Sequence, residues 1–161
     1  MKKSIPFIVA ALLALAHAVP ASAQQSTGKG LGSLFSSPSE DELIEPDLAF
    51  RLNVSVKDAN TIVAELAPAK GYYLYRERIK FALKDASGVA ISAVKLPTGE
   101  MKNDQIFGRT QVYKKPVPAE LSLTRSGKAN SVALVASYQG CHEKLGVCYP
   151  PIEKTVNLTL K

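Results

Sequence analysis

Leu48-Ala49-Phe50-Arg51-Leu52-Asn53-Val54-Ser55-Val56 is the stretch on which the fold turns: Leu48, Phe50, Leu52, Val54 and Val56 share one face, and Arg51, Asn53 and Ser55 the other. Strand side chains alternate with a period of two, so this run predicts a half-buried strand. Outward from it, period-2 or apolar runs continue at Thr61 to Leu66, Tyr72 to Leu83, Val89 to Leu96, Thr110 to Tyr113, Val117 to Thr124, Ser131 to Tyr138 and Lys154 to Leu160. Turn-forming residues separate them at Lys57 to Asn60, Pro68 to Gly71, Asp85 to Gly88, Pro97 to Gly99, Lys115-Pro116 and Ser126-Gly127. About eight short strands at nearly regular spacing, with no strong helical periodicity, predict an all-β, immunoglobulin-like antiparallel β-sandwich.

The N-terminus has a different texture. Lys2 and Lys3 precede an apolar run from Ile5 to Ala18, and Ala21-Ser22-Ala23 forms an A-x-A site ahead of Gln24. This pattern predicts a cleaved secretory signal over residues 1–23. The apolar run is short for a membrane span, which needs about 20 residues. The expected location is therefore the periplasm. Residues 24–42 are rich in Ser, Gly and Gln and cannot bury enough apolar area to fold alone, so they read as a flexible leader to a domain over 43–161. Loss of Lys2 and Lys3 takes the formal charge from +6 to +4. The remaining cations are scattered without a run of five, which argues against nucleic-acid binding. A Ser/His/Asp set, a phosphate loop and a CxxCH haem site are all missing, which argues against hydrolase and transferase chemistry.

Chemistry concentrates in Tyr138-Gln139-Gly140-Cys141-His142-Glu143-Lys144-Leu145-Gly146-Val147-Cys148-Tyr149-Pro150-Pro151, which holds both cysteines of the chain. A cysteine pair in an exported protein serves either as a staple or as a redox couple. Closing so short a loop contributes only about 2.5 kcal/mol of chain entropy, a weak motive for a staple. A loop between the strands Ser131 to Tyr138 and Tyr149 to Leu160 would bring the sulfurs within bonding reach at the surface, where a partner thiolate could attack one of them. Gly140 and Gly146 permit backbone conformations that other residues resist, and Pro150-Pro151 stiffens the exit. Two other readings remain. One is a passive immunoglobulin-like binding module with a structural disulfide. The other is a copper or zinc carrier using Cys141, His142, Glu143 and Cys148, although His142 is the only histidine outside the predicted signal. A reduction potential separates the first from exchange, and metal analysis the second.

The motifs Tyr138-Gln139-Gly140-Cys141, Cys148-Tyr149-Pro150-Pro151, Gly71-Tyr72-Tyr73-Leu74-Tyr75-Arg76 and Asp104-Gln105-Ile106-Phe107-Gly108-Arg109 resemble the N-terminal periplasmic domain of the thiol:disulfide interchange protein DsbD, from about Leu43 to Leu160. The resemblance implies an immunoglobulin-like domain that carries electrons through a reversible Cys141–Cys148 disulfide without a cofactor. Its donor would be a thioredoxin-like C-terminal domain, fed through a membrane domain, so that contact with the membrane is only through a partner reductase. Its acceptors would be of the DsbC or cytochrome c maturation thioredoxin type. By motif, Cys148 would form mixed disulfides and Cys141 resolve them. A cap over Asn103 to Arg109, including Asp104, Ile106, Phe107 and Gly108, would shield the sulfurs, with Tyr72, Tyr73, Tyr75 and Tyr149 as aromatic walls. A carboxylate such as Asp104 would disfavour thiolate and keep the pair quiescent. The chain differs from the pattern in having six residues between the cysteines, one more than that family's spacing, and Ile106 where the family's cap aromatic aligns. The family's membrane and thioredoxin-like portions lie outside this sequence, which predicts either a stand-alone domain with a separate reductant or a fragment.

Overall fold

The computed structural model describes residues 42–127 and 130–161; the predicted signal and nearly all of the leader lie outside them. The strands are β1 (Phe50–Asp58), β2 (Thr61–Pro68), β3 (Tyr72–Tyr75), β4 (Lys80–Lys84), β5 (Val89–Lys95), β6 (Glu100–Asp104), β7 (Gly108–Tyr113), β8 (Val117–Arg125), β9 (Ser131–Tyr138), β10 (Gly140–His142), β11 (Val147–Cys148) and β12 (Ile152–Thr159). They form three antiparallel sheets with strand orders β1-β2-β8-β5, β12-β9-β4 and β11-β10-β3-β7-β6. The first two face each other across a core of Ile62, Ala64, Leu121, Val132 and Leu134. The architecture is the expected all-β, immunoglobulin-like sandwich.

The alternation in β1 holds: Phe50 is buried, Leu52, Val54 and Val56 are half-buried, and Arg51, Asn53 and Ser55 face solvent. Leu48 departs from it. Pro46 sits in the first turn of a one-turn helix, α1 (Pro46–Ala49), where its fixed φ suits a helical start, and Leu48 is left 59% exposed. The long run Tyr72 to Leu83 is two strands, because a 3-10 turn at Arg76–Arg78 interrupts it. Strand β6 was not predicted, since Glu100-Met101-Lys102-Asn103-Asp104 carries no apolar alternation; it is an edge strand held by its pairing with β7. Among the described residues no helix is long and apolar enough to cross a membrane.

Strand β3 positions the site. All four of its residues are buried, because both faces are covered. Tyr72 and Leu74 join Phe50, Leu66, Tyr113 and Tyr138 in the sandwich core. Tyr73 and Tyr75 point the other way, to a small cluster with Val112, Cys141, Phe107 and Cys148. A two-residue period thus gives one strand a structural face and a chemical face.

Candidate functional site

The cysteine loop is a short hairpin laid on β3. β10 pairs with β11 through Cys141↔Cys148 and His142↔Val147, and with β3 through Cys141↔Tyr73 and His142↔Tyr72. Cys141 and Cys148 are joined in a disulfide on the chemical face, and His142 takes the opposite side. The sulfurs are unequal in access: Cys141 is fully buried and Cys148 is half-buried. The glycines act in two different ways. Gly146 has φ +64°, the left-handed conformation expected of a turn glycine. Gly140 is needed for space instead: a Cβ there would lie 2.3 Å from the Tyr73 carbonyl oxygen and 2.5 Å from Phe50 Cε1.

Over this face folds the turn between β6 and β7, spanning the predicted cap. Asp104 holds its shape. Its Oδ1 accepts from the backbone N–H groups of Ile106 (2.9 Å) and Phe107 (3.0 Å), and its Oδ2 from the hydroxyls of Tyr73 (2.7 Å) and Tyr75 (2.8 Å). Burial raises the Asp104 carboxyl, but bonds from Tyr73, Phe107, Ile106 and Tyr75 outweigh it and hold the group down at about 2. Burial pushes the Tyr73 phenol up to about 12, and Tyr75 lies well above its ordinary value through burial and its bonds to Tyr73 and Asp104. Both hydroxyls stay protonated while Asp104 stays ionised.

The Tyr75 hydroxyl lies 3.0 Å from Cys141 Sγ and 3.6 Å from Cys148 Sγ, so the carboxylate reaches the sulfurs through a phenol and not directly. Disulfide sulfur has no proton to give. The single Tyr75 proton is then shared between the Asp104 carboxylate and Cys141, and the charged acceptor takes it at rest. When the Cys141–Cys148 bond breaks, a developing Cys141 thiolate can draw that proton, while Tyr73 keeps Asp104 bonded.

The aromatic that covers this cluster is Phe107. Its ring meets Tyr75 edge-on at 4.8 Å, and the Arg78 guanidinium lies 4.3 Å over it. Ile106 is 60% exposed at the turn tip. Between the turn and the cysteine hairpin runs a cleft of about 110 Å³, lined by Tyr73, Asp104, Ile106, Glu143, Gly146 and Cys148 among others. Ion pairs tie its walls together: Glu143 accepts from Lys114 at 2.6 Å and Lys102 at 3.5 Å, and Lys102 also lies 4.9 Å from the Tyr73 ring centroid.

The structure brings together Cys141, Cys148, Asp104, Phe107, Tyr73 and Tyr75, with Ile106 and Gly108 in the turn above. Tyr72 and Tyr149 fall on the other face of the sheet. Tyr72 packs edge-on to Phe50 and takes the Ile44 N–H while donating to the Glu42 carbonyl; Tyr149 packs on Phe50 and donates to the Ile44 carbonyl. They anchor the N-terminal edge of the domain, including Glu42 at the end of the predicted leader. The two non-sulfur members of the metal set are engaged elsewhere, His142 with the Leu145 N–H and Glu143 with the lysines. Among the described residues no group of three or more metal-ligating side chains forms. Arg78, Lys102 and Lys114 were missed by sequence reasoning; only the threading of the 3-10 turn and the unpredicted β6 brings them to the site.

Residues 40–160 match the family model described as thiol:disulfide interchange protein DsbD, N-terminal. The chain is 36% identical over 140 residues to the thiol:disulfide interchange protein DsbD 1 of Pseudomonas aeruginosa, covering 87% of this chain and 23% of that protein. It thus spans about a quarter or less of the length of the curated relatives it matches. The fold superposes on the N-terminal domain of DsbD from Neisseria meningitidis in the reduced form, with a TM-score of 0.65, 29% identity and coverage of 76% of this chain and 94% of that one. It also matches the complex between the DsbD N-terminal and PilB N-terminal domains of Neisseria meningitidis, with a TM-score of 0.57, 29% identity and coverage of 73% and 88%. With its cysteine hairpin, aromatic face and overlying turn, this chain belongs to the family of DsbD N-terminal domains.

Proposed function

We propose that the protein is a periplasmic thiol-disulfide exchange domain, exported by a cleaved signal, that passes reducing equivalents through Cys141 and Cys148. The observation that carries the reading is the asymmetry of the disulfide. Cys148 is half-exposed, whereas Cys141 is fully buried with the Tyr75 hydroxyl 3.0 Å from its sulfur. A donor thiolate attacks Cys148 Sγ, a new intermolecular S–S bond forms, and the Cys141–Cys148 bond breaks with its electron pair on Cys141. Tyr75 stabilises that leaving thiolate. The donor's second thiolate then attacks its own sulfur in the mixed disulfide and releases Cys148. Two electrons and two protons have moved, and the donor is left as a disulfide. The reverse sequence, begun by Cys148, reduces an acceptor.

The partners proposed are a thioredoxin-like donor of the DsbD C-terminal-domain type and acceptors of the DsbC or cytochrome c maturation thioredoxin type. The complex of the Neisseria relative with a PilB N-terminal domain supports protein partners, and the reduced form of that relative supports a reversible pair. The turn from Asp104 to Gly108 acts as a cap that a partner displaces and small solutes must wait for. The test is trapping. Cys141→Ala leaves Cys148 to hold a stable mixed disulfide with a thioredoxin-like domain, whereas Cys148→Ala traps little. Equal trapping by both, or trapping through Cys141 alone, overturns the assignment of roles.

A further inference from the structure

We propose that Gln139 is a positioning residue for Cys148: its side-chain amide clamps the chain just after that cysteine and keeps the two sulfurs facing each other while their bond is open. The hairpin is irregular at this point. Cys141 pairs with Cys148, and Tyr138 pairs with Ile152, so between these pairs Gln139 and Gly140 on one side face Tyr149, Pro150 and Pro151 on the other. The extra residue is a bulge on the exit side of the hairpin. Pro150 and Pro151 have no N–H, so the exit side can donate no backbone bond between Tyr149 and Ile152.

Gln139 closes that gap with its side chain. Its backbone carbonyl accepts the Tyr75 N–H at 3.0 Å, which fixes it to β3, and its Nε2 donates to the Tyr149 carbonyl at 3.0 Å. The Tyr149 N–H in turn donates to the Gly140 carbonyl at 3.0 Å. Both backbone groups of the residue after Cys148 are thus tied to Gln139-Gly140. The ring of Tyr149 is anchored separately, edge-on to Phe50 and at the Ile44 carbonyl.

The clamp matters most once the disulfide opens. Strand β11 has two residues and pairs with β10 alone. In the oxidised protein the S–S bond itself holds Cys148 against Cys141. In the dithiol that tie is gone, and the pairing with β10 and the two bonds to Tyr149 keep the thiols within reach. Thiols held facing each other close their disulfide as if each were concentrated around the other. Closure is the attack of the Cys141 thiolate on Cys148 Sγ in a mixed disulfide, which expels the partner's thiolate. Without the Gln139 bond, the reduced segment regains chain freedom that the oxidised segment cannot, so the balance moves toward the dithiol.

The inference rests on the exchange reading for its role, but its test needs no protein partner. The reduction potential is measured for the wild type and for Gln139→Met, which keeps the length of the side chain without its donor, by equilibration in the same thiol-disulfide buffers. Loss of one hydrogen bond should move the equilibrium about three- to tenfold toward the dithiol, which raises the potential by about 15–30 mV. A merely structural bond would lower the thermal midpoints of the oxidised and reduced proteins alike and leave the potential where it was. A change of less than about twofold, or one toward the disulfide, overturns the proposal. Gln139→Ala carries the same test if the methionine variant does not fold. Failed trapping through Cys148 would refute the exchange reading and leave the difference in potential between variant and wild type readable.

Discussion

Phe107→Ala should open the site to small thiols. The ring makes two contacts that hold the turn down, an edge-on packing with Tyr75 at 4.8 Å and the Arg78 guanidinium at 4.3 Å on its face. An aromatic pair of this geometry contributes about 0.5–1.5 kcal/mol beyond buried area, and an exposed cation–π contact about 0.5–1 kcal/mol. Together they hold the closed form by about 1–2.5 kcal/mol, and if the open form is rare the observed rate is the intrinsic rate multiplied by its population. Losing about 1.5 kcal/mol then speeds reduction about tenfold. The assay is the second-order rate with dithiothreitol, set against the rate with a thioredoxin-like protein, which under the proposed function displaces the cap itself and should gain much less. Ile106→Ala is the control: its side chain is 60% exposed, and its removal should change the small-thiol rate by no more than about twofold. An unchanged rate in Phe107→Ala with the fold intact by circular dichroism would refute the reasoning. So would a larger effect from Ile106→Ala.

Asp104 sets the acid limit of the cap. With its carboxyl held at about 2 against an ordinary 3.8, the bonds to Ile106 and Phe107 contribute stability that is complete above the ordinary value and lost as pH falls through the folded one. The Ile106 and Phe107 amide resonances should therefore hold still down to about pH 4 and shift only below it; a shift centred above pH 5 would contradict this. Gly140→Ala should destabilise the whole domain by about 3 kcal/mol or more, because the new Cβ meets a backbone carbonyl and the buried Phe50 ring with no flexible side chain to give way. A thermal midpoint within a degree or two of wild type would show that the close approach is not what requires glycine.

Much of this was legible in the sequence for identifiable reasons. Alternation in β1, β2, β8 and β12 announces itself because each turns one face to the core and the other toward solvent, whereas β9, central in its sheet and buried on both faces, shows instead as a nearly continuous apolar run. Strand β3 does not alternate in polarity, since Tyr72 and Leu74 serve the core while Tyr73 and Tyr75 serve the cysteines, so sequence alone grouped the three tyrosines on one side. The motif located Asp104 and the turn after it, but not that Phe107, rather than Ile106, folds inward. That choice is made by the Asx-type bonds that the Ile106 and Phe107 N–H groups donate to Asp104 Oδ1, which set the path of the turn. Arg78, Lys102 and Lys114 carry no local signal, and their roles arise from contacts that only the folded chain creates.

The most direct test of the central claim is the reduction potential of the Cys141–Cys148 pair, measured by equilibration in defined thiol-disulfide buffers with circular dichroism recorded alongside. An exchange couple should titrate between about −270 and −180 mV, the span of thioredoxin-like and isomerase-like proteins, with its β-sheet signal unchanged on reduction. A potential below about −300 mV, or loss of cooperative folding when the bond is reduced, would make the disulfide a structural staple and contradict the account.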